Sequence, residues 1–215
     1  MIALLVVTAA LLAGYVWGTR RNRRLLKTIT DILIERVRPT ETEFTNIGGL
    51  IGCSATLIPP AAGPFESVEA TLTLLPRHAW LYYPFSRAVM KHDRLFIALA
   101  LKAEAAAGLE EGHLIELRHS RTSAGCIRNA AELDLEPLDW GGVPFRLYFA
   151  SAGVRGHLRD LVRRLNAPGV LRHAALVPEH DRVFFFLRAD PARLDECLAV
   201  LLEWAAGPAD GGRGA

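Results

Sequence analysis

The sequence predicts an α+β protein in which an N-terminal transmembrane helix is followed by a largely antiparallel sheet with two C-terminal helices packed on it. Three observations support this fold class. Residues 1–18 form an apolar run that ends just before a cluster of arginines. Several later segments alternate apolar and polar residues, as half-buried strands do. The last third contains two amphipathic helical patterns, each close to a strand pattern.

The first segment has the composition of a membrane anchor. Ile2 to Trp17 carries no charged side chain. A helix over residues 1–18 would rise about 27 Å at roughly 1.5 Å per residue, which is short but adequate for a bilayer core about 30 Å thick. Tyr15 and Trp17 lie at its end, where aromatic rings favour the headgroup region. We therefore assign residues 1–18 to a transmembrane anchor.

The position of the charges predicts the orientation of this anchor. Positive residues stay on the cytoplasmic side of a membrane, and a cleaved secretory signal needs its basic residues before the apolar run. Here the basic cluster follows the run, which favours an uncleaved single-pass anchor with the N-terminus outside and the C-terminal domain cytoplasmic. The residues expected to contact lipid headgroups are Arg20, Arg21, Arg23, Arg24 and Lys27.

Residues 19–38 show apolar side chains at three- and four-residue steps and end before Pro39, which predicts a juxtamembrane amphipathic helix. Its apolar stripe could lie on the domain, on the membrane surface or on a second copy as a short coiled coil. The stripe is short for a coiled coil, so packing on the domain is favoured. Residues 40–206 are assigned to one soluble domain, and the glycine-rich tail 207–215 is predicted to be disordered.

The first part of the domain is rich in strand patterns. The aromatic segment 80–85 is predicted to be a strand or an extended segment, and its rings could serve the core, a partner surface or a membrane-contacting edge. No regular element is predicted for residues 120–143. Strands are predicted over residues 50–58, 66–75, 94–101 and 113–119.

The final third repeats a strand and helix order. Strands are predicted over residues 145–149, 170–177 and 182–188, and a helix over 154–166. A last helix is expected to begin after Asp190, because Asp is a good N-cap and Pro191 suits the first helical position. The two late helices are expected to cover one face of the sheet.

No motif in the sequence defines a reaction. The seven histidines include no H-E-x-x-H pair. His113 and His119, on one predicted strand, would be about 20 Å apart, too far to share a metal ion. We therefore expect no metal site and no cofactor. Cys126 lies in a predicted loop and is the candidate for a reactive thiol, with His119 as a base that could approach it in space.

A second basic stripe lies on the helix predicted over 154–166. It could face anionic lipid or an acidic partner, or it could be an ordinary solvated helix face. Its residues are Arg155, Arg159, Arg163 and Arg164. The net charge of +2 is too small to indicate nucleic acid as a partner.

Taken together, these features favour a membrane-anchored cytoplasmic protein whose domain binds a protein partner or scaffolds an assembly at the membrane, rather than an enzyme. Two alternatives stay open. One is a membrane-tethered enzyme that uses the loop residue Cys126. The other is a peripheral sensor of anionic lipid that uses the two basic stripes.

Overall fold

The computed structural model describes residues 1–119 and 127–207. It confirms the expected fold class: a long apolar helix precedes an antiparallel sheet, and two helices lie in the C-terminal part of the chain. Two predictions fall on other residues. Cys126 lies outside the described residues, and so does the predicted tail apart from Gly207.

Five α-helices and nine strands lie wholly within the described residues. The helices are α1 (Ile2–Val37), α2 (Tyr83–Met90), α3 (Ala103–Ala106), α4 (Ala152–Leu165) and α5 (Pro191–Ala206). The strands are β1 (Glu41–Asn46), β2 (Gly52–Ile58), β3 (Phe65–Thr73), β4 (Arg94–Leu101), β5 (Gly112–Glu116), β6 (Asp134–Trp140), β7 (Val143–Phe149), β8 (Leu171–Val177) and β9 (Arg182–Arg188). They make one sheet in the order β1-β2-β3-β4-β9-β8-β5-β7-β6, and every neighbouring pair is antiparallel.

Helix α1 is one unbroken helix of 36 residues, or about 54 Å at 1.5 Å per residue. Among the described residues it is the one helix that is long and apolar enough to cross a membrane, with a mean hydropathy of 2.0 in its most apolar window. Its second half is part of the domain, because Ile29, Leu33 and Val37 are buried in the hydrophobic core. The predicted packing of the amphipathic stripe on the domain is therefore confirmed.

One face of the sheet forms the core. Alternate residues of β4, namely Leu95, Ile97 and Leu99, are completely buried, and this face is covered by α1, α4 and α5. Side-chain caps begin the two late helices, and of these only the Asp190 cap was predicted from the sequence. Ser151 accepts a hydrogen bond from the Val154 backbone N–H, and Asp190 accepts one from that of Ala192.

The opposite face of the sheet is only partly covered. Phe96 of β4 stacks on Phe186 of β9 at 4.8 Å between ring centroids, and on Phe184 at 6.2 Å. Near β5 and β7, residues 127–133 lie over this face, with Ile127 packed on Ile115 and Tyr148. The part of the face formed by β2, β3 and β4 carries half-buried side chains.

Four sequence-based expectations about elements were wrong or incomplete. Residues 80–82 are a turn and residues 83–85 begin α2, because Pro84 suits the first turn of a helix and has no N–H to donate within a strand. The strand predicted over 113–119 ends at Glu116, and residues 117–119 are helical. Strand β6 lies where no element was expected, and β1 was missed because its residues are all exposed and mostly polar.

Candidate membrane-facing site

The chain between β3 and β4 returns to α1 at the end of the apolar run. Two glycines of α1 allow this close approach. A Cβ atom at Gly18 would lie 2.2 Å from the backbone oxygen of Arg77, and one at Gly14 would lie 2.6 Å from the indole ring of Trp80. Tyr15 meets His78 edge to face, with 6.3 Å between ring centroids. The segment therefore lies directly on the anchor helix.

A buried polar network joins this segment to α1 and to the sheet. Arg77 donates to both carboxylate oxygens of Asp93, at 3.0 and 2.7 Å, and to Oδ1 of Asn22 at 3.0 Å. The amide of Asn22 donates to the backbone oxygens of Leu50 and Leu75, each at 2.9 Å. Asn22, Arg77 and Asp93 are all buried. The network therefore fixes α1 relative to the sheet.

Large apolar side chains are exposed beside the anchor. Leu81 is 84% exposed, and Phe85 and Val89, four residues apart on one face of α2, are each 63% exposed. We name this group the α2 apolar patch: Trp80, Leu81, Tyr82, Phe85 and Val89. A cluster of this kind is typical of a membrane or partner surface. Because Trp80 packs on Gly14, the patch lies level with the end of the apolar run.

The expected basic cluster follows the anchor on the exposed surface of α1. Within the described part of the chain, no carboxylate lies within ion-pair distance of Arg20, Arg21, Arg23 or Arg24. Lys27 pairs with Asp31 at 2.7 Å on the helix surface. Contact of this cluster with lipid headgroups stays a prediction.

The second basic stripe, on α4, is neutralised largely within the chain. Arg155 and Arg159 both bind Glu136, the former at 2.5 Å, and hydrogen bonds from these arginines lower the pKa of Glu136. Arg163 and Arg164 pair with Asp160 at 3.3 and 2.6 Å. This stripe therefore presents less free positive charge to a lipid or a partner than its sequence indicates.

The partly covered sheet face brings together four histidines that the sequence placed apart. Nδ1 of His113 lies 3.3 Å from Nε2 of His173, and Nε2 of His113 lies 3.1 Å from Glu111. His92 and His119 are 5.9 Å apart between ring centroids, and both contact the ring of Phe186. In residues 1–119 and 127–207, no group of three or more His, Cys, Asp or Glu is placed to hold a metal ion.

Three further side chains have clear surroundings in the structure. The ring of His92 stacks on Phe186. The ring of His157 stacks on Trp204, with 4.4 Å between ring centroids. Cys197 is buried, and burial raises the pKa of its thiol to about 12, so it is poorly nucleophilic.

Burial dominates the titration of the histidine cluster. Desolvation lowers the pKa of His92 to about 4 and that of His173 to about 3, with smaller contributions from neighbouring histidines. The same cause lowers the pKa of His113 and His119. These rings are therefore neutral in the folded protein at neutral pH.

This cluster predicts a loss of stability in mild acid. The unfolded chain binds protons at its histidines below about pH 6.5, whereas the folded chain does not until its lower pKa values are reached. We expect stability to be highest above pH 6.5 and to fall as the pH decreases towards 4, with a contribution from His173 of at most about 1.4 kcal/mol per pH unit. Thermal unfolding of the full chain in detergent at several pH values measures this slope.

A matched pair of variants assigns the slope to the cluster. His173→Gln removes an imidazole whose pKa is lowered by desolvation and should flatten the dependence of stability on pH between 6.5 and 4.5. His180→Gln changes an exposed histidine in the short 3₁₀ helix after β8 and should leave it unchanged. Equal slopes in the two variants would show that the buried cluster is not the cause.

The candidate catalytic pair of Cys126 and His119 is placed only in part. His119 lies just after β5, 3.6 Å from a carboxylate oxygen of Glu116, while Cys126 lies outside the described residues. Their approach in space stays a prediction. Rapid labelling by a thiol probe at neutral pH, lost in Cys126→Ser, would support it.

No protein-family model matches the chain, and no curated protein matches it. The geometry alone therefore defines the class of protein: an α+β domain whose first helix begins as an apolar segment compatible with a membrane anchor.

Proposed function

We propose that this chain is a single-pass membrane protein whose α+β domain lies on the cytoplasmic leaflet and binds a protein partner there. One observation carries the proposal. Helix α1 runs without interruption from the apolar run into the core, where Ile29, Leu33 and Val37 are buried. About 20 residues suffice to span a bilayer, so one half of α1 can lie in lipid while the other half belongs to the domain.

A second contact with the leaflet is supported by the α2 apolar patch. Its side chains would be costly to leave in water but are suited to the boundary between headgroups and acyl chains. The patch adjoins the anchor through the contact of Trp80 with Gly14. Basic residues follow the apolar run at once, which favours the cytoplasmic side for the domain.

The surface that favours a protein partner is strand β1. It lies at the edge of the sheet, and all six of its residues are exposed. The Ile47 N–H donates to the backbone oxygen of Gly52. Because successive N–H groups of a strand point to opposite sides, the N–H groups of Thr42, Phe44 and Asn46 point away from β2. Such an edge can pair with a strand of another chain, and Phe44, 46% exposed, adds an apolar contact.

Membrane topology is tested with a C-terminal epitope on the full chain. We expect the protein to stay in the membrane fraction after alkaline carbonate washing. The epitope should resist protease in intact cells and become accessible in inverted membrane vesicles. Release by carbonate, a mature protein that begins after Trp17, or an epitope exposed on intact cells would contradict the proposed location.

Partner binding through β1 is tested at a single residue. Thr42→Pro removes an outward N–H and places a ring at the edge, whereas Thr42→Val keeps the N–H and suits a strand. We expect chemical crosslinking in native membranes to join the wild-type chain and the Thr42→Val variant to one defined protein, and Thr42→Pro to lose that product. A product retained by Thr42→Pro, or a wild-type chain that is never crosslinked, would reject this surface.

A further inference from the structure

A cleft of about 440 Å³ lies between α1, α2 and the start of α5. Trp17 and Leu25 of α1 form one wall, and Tyr83 of α2 contributes to the other. The charged side chains that line the cleft are mostly basic: Arg21, Arg77, Arg87, Lys91 and Arg188, with Asp93 and Asp190.

The two acidic residues of the cleft are already neutralised. Asp93 binds Arg77 at 2.7 Å, and Asp190 binds Arg188 at 2.9 Å. The remaining three cations are Arg21, Arg87 and Lys91. None of them has a carboxylate within 4.0 Å in the part of the chain that the structure describes.

Several arginines elsewhere in the described part of the domain are paired with a carboxylate, unlike Arg21 and Arg87. Examples are Arg36 with Asp195, Arg128 with Glu179 and Arg182 with Glu69. Three like charges around one cleft repel one another, and an anion bound among them would offset that repulsion.

The position of the cleft indicates which anion it suits. Trp17 ends the apolar run and lines the cleft, and the α2 apolar patch is carried by the same helix as Arg87. An aromatic ring followed by arginines marks the depth of lipid headgroups. Guanidinium groups bind phosphate oxygens in pairs, and a lysine adds a compact positive charge.

We propose that this cleft binds the phosphate headgroup of an anionic phospholipid of the cytoplasmic leaflet, with Arg21, Arg87 and Lys91 as its ligands. The proposal rests on the membrane location given under Proposed function. It differs from general attraction of a basic segment to a charged surface, because it assigns the lipid to one cleft that α1 and α2 build together.

The experiment measures lipid binding to the full chain in neutral detergent. Phosphatidylglycerol is titrated and bound lipid is counted by native mass spectrometry, with phosphatidylcholine as the uncharged lipid and inorganic phosphate as the free anion. The test variant is Arg87→Gln/Lys91→Gln. The control variant, Arg128→Gln/Arg182→Gln, removes the same formal charge from exposed residues that do not line the cleft and to which no lipid contact is assigned.

We expect the wild-type chain and the control to bind one phosphatidylglycerol with similar affinity. The test variant should bind it roughly ten- to a hundredfold more weakly, because it loses charge-assisted hydrogen bonds to the phosphate. Equal weakening in both variants would mean general electrostatic attraction and would overturn the proposal. Equal binding of phosphatidylcholine, or displacement of the lipid by low millimolar phosphate, would also overturn it.

A separate readout distinguishes this inference from the proposed membrane location. Carbonate washing of membranes that contain the test variant should still leave it in the membrane, since the anchor is unchanged. Loss of lipid binding with retention in the membrane supports the cleft. Release of the wild-type chain by the same wash would instead reject the location on which the inference rests.

Discussion

Replacement of Arg77 by methionine is expected to lower the free energy of unfolding by about 3 to 5 kcal/mol. The substitution removes a buried guanidinium and leaves the Asp93 carboxylate buried without its cationic partner. The Oδ1 atom of Asn22 also loses the hydrogen bond that it accepts from Arg77. An isolated buried charge is far more costly than a lost surface contact. Denaturant unfolding of the full chain in detergent measures the effect, and proteolysis between β3 and β4 should increase with it.

The matched control is Arg182→Met. Arg182 pairs with Glu69 at 3.1 Å, but their side chains are 40% and 44% exposed, so water screens the interaction. We expect a change of at most about 1 kcal/mol. If the two methionine variants were destabilised equally, the Arg77 network would not be what fixes the anchor to the domain.

Replacement of Gly18 by alanine is expected to destabilise the domain although alanine is the better helix former. The new methyl group would lie 2.2 Å from the Arg77 backbone oxygen, and backbone cannot yield as the end of a flexible side chain can. Overpacking of this kind costs about 1 to 3 kcal/mol. The segment that carries Arg77 and Trp80 should move off α1, which a change in tryptophan fluorescence and a lower midpoint of unfolding would report.

Gly156→Ala is the control, and its expected effect on stability has the opposite sign. Gly156 lies in α4, it is exposed, and no atom lies within 4 Å of a Cβ built there. The same substitution should therefore stabilise the protein by about 0.5 to 1 kcal/mol through helix propensity. A stabilised Gly18→Ala variant would show that α1 and the segment after β3 are not in close contact.

The elements that the sequence predicted correctly are those whose pattern is local. Neighbouring residues define each of these patterns. Apolar and polar residues alternate in β3, apolar residues occupy nearly every position of β4, and Asp190 and Pro191 mark the start of α5. Strand β1 has no such pattern, because an edge strand buries none of its side chains and is held by backbone bonds to β2 alone.

The site was less predictable because its parts are distant in sequence. The Arg77 network joins residues 22, 77 and 93, and His113 meets His173 across neighbouring strands. A sequence pattern reports periodicity along one element, whereas these contacts depend on strand order. For the aromatic segment 80–85, the sequence left open a role in the core, at a partner surface or at a membrane-contacting edge. Composition alone does not distinguish a buried aromatic residue from an exposed one, so the α2 apolar patch was not predicted as such.

The unbroken course of α1 has a mechanical consequence. In the membrane location proposed above there is no hinge between lipid and sheet, so the domain would follow the tilt of α1, and tilt responds to bilayer thickness. A rotation of 10° over a rod of about 54 Å displaces its far end by about 9 Å, mainly along the membrane surface. Strand β1 begins close to that far end, at Glu41, so its lateral position and the angle at which its edge meets the lipid surface would change with the thickness of the membrane.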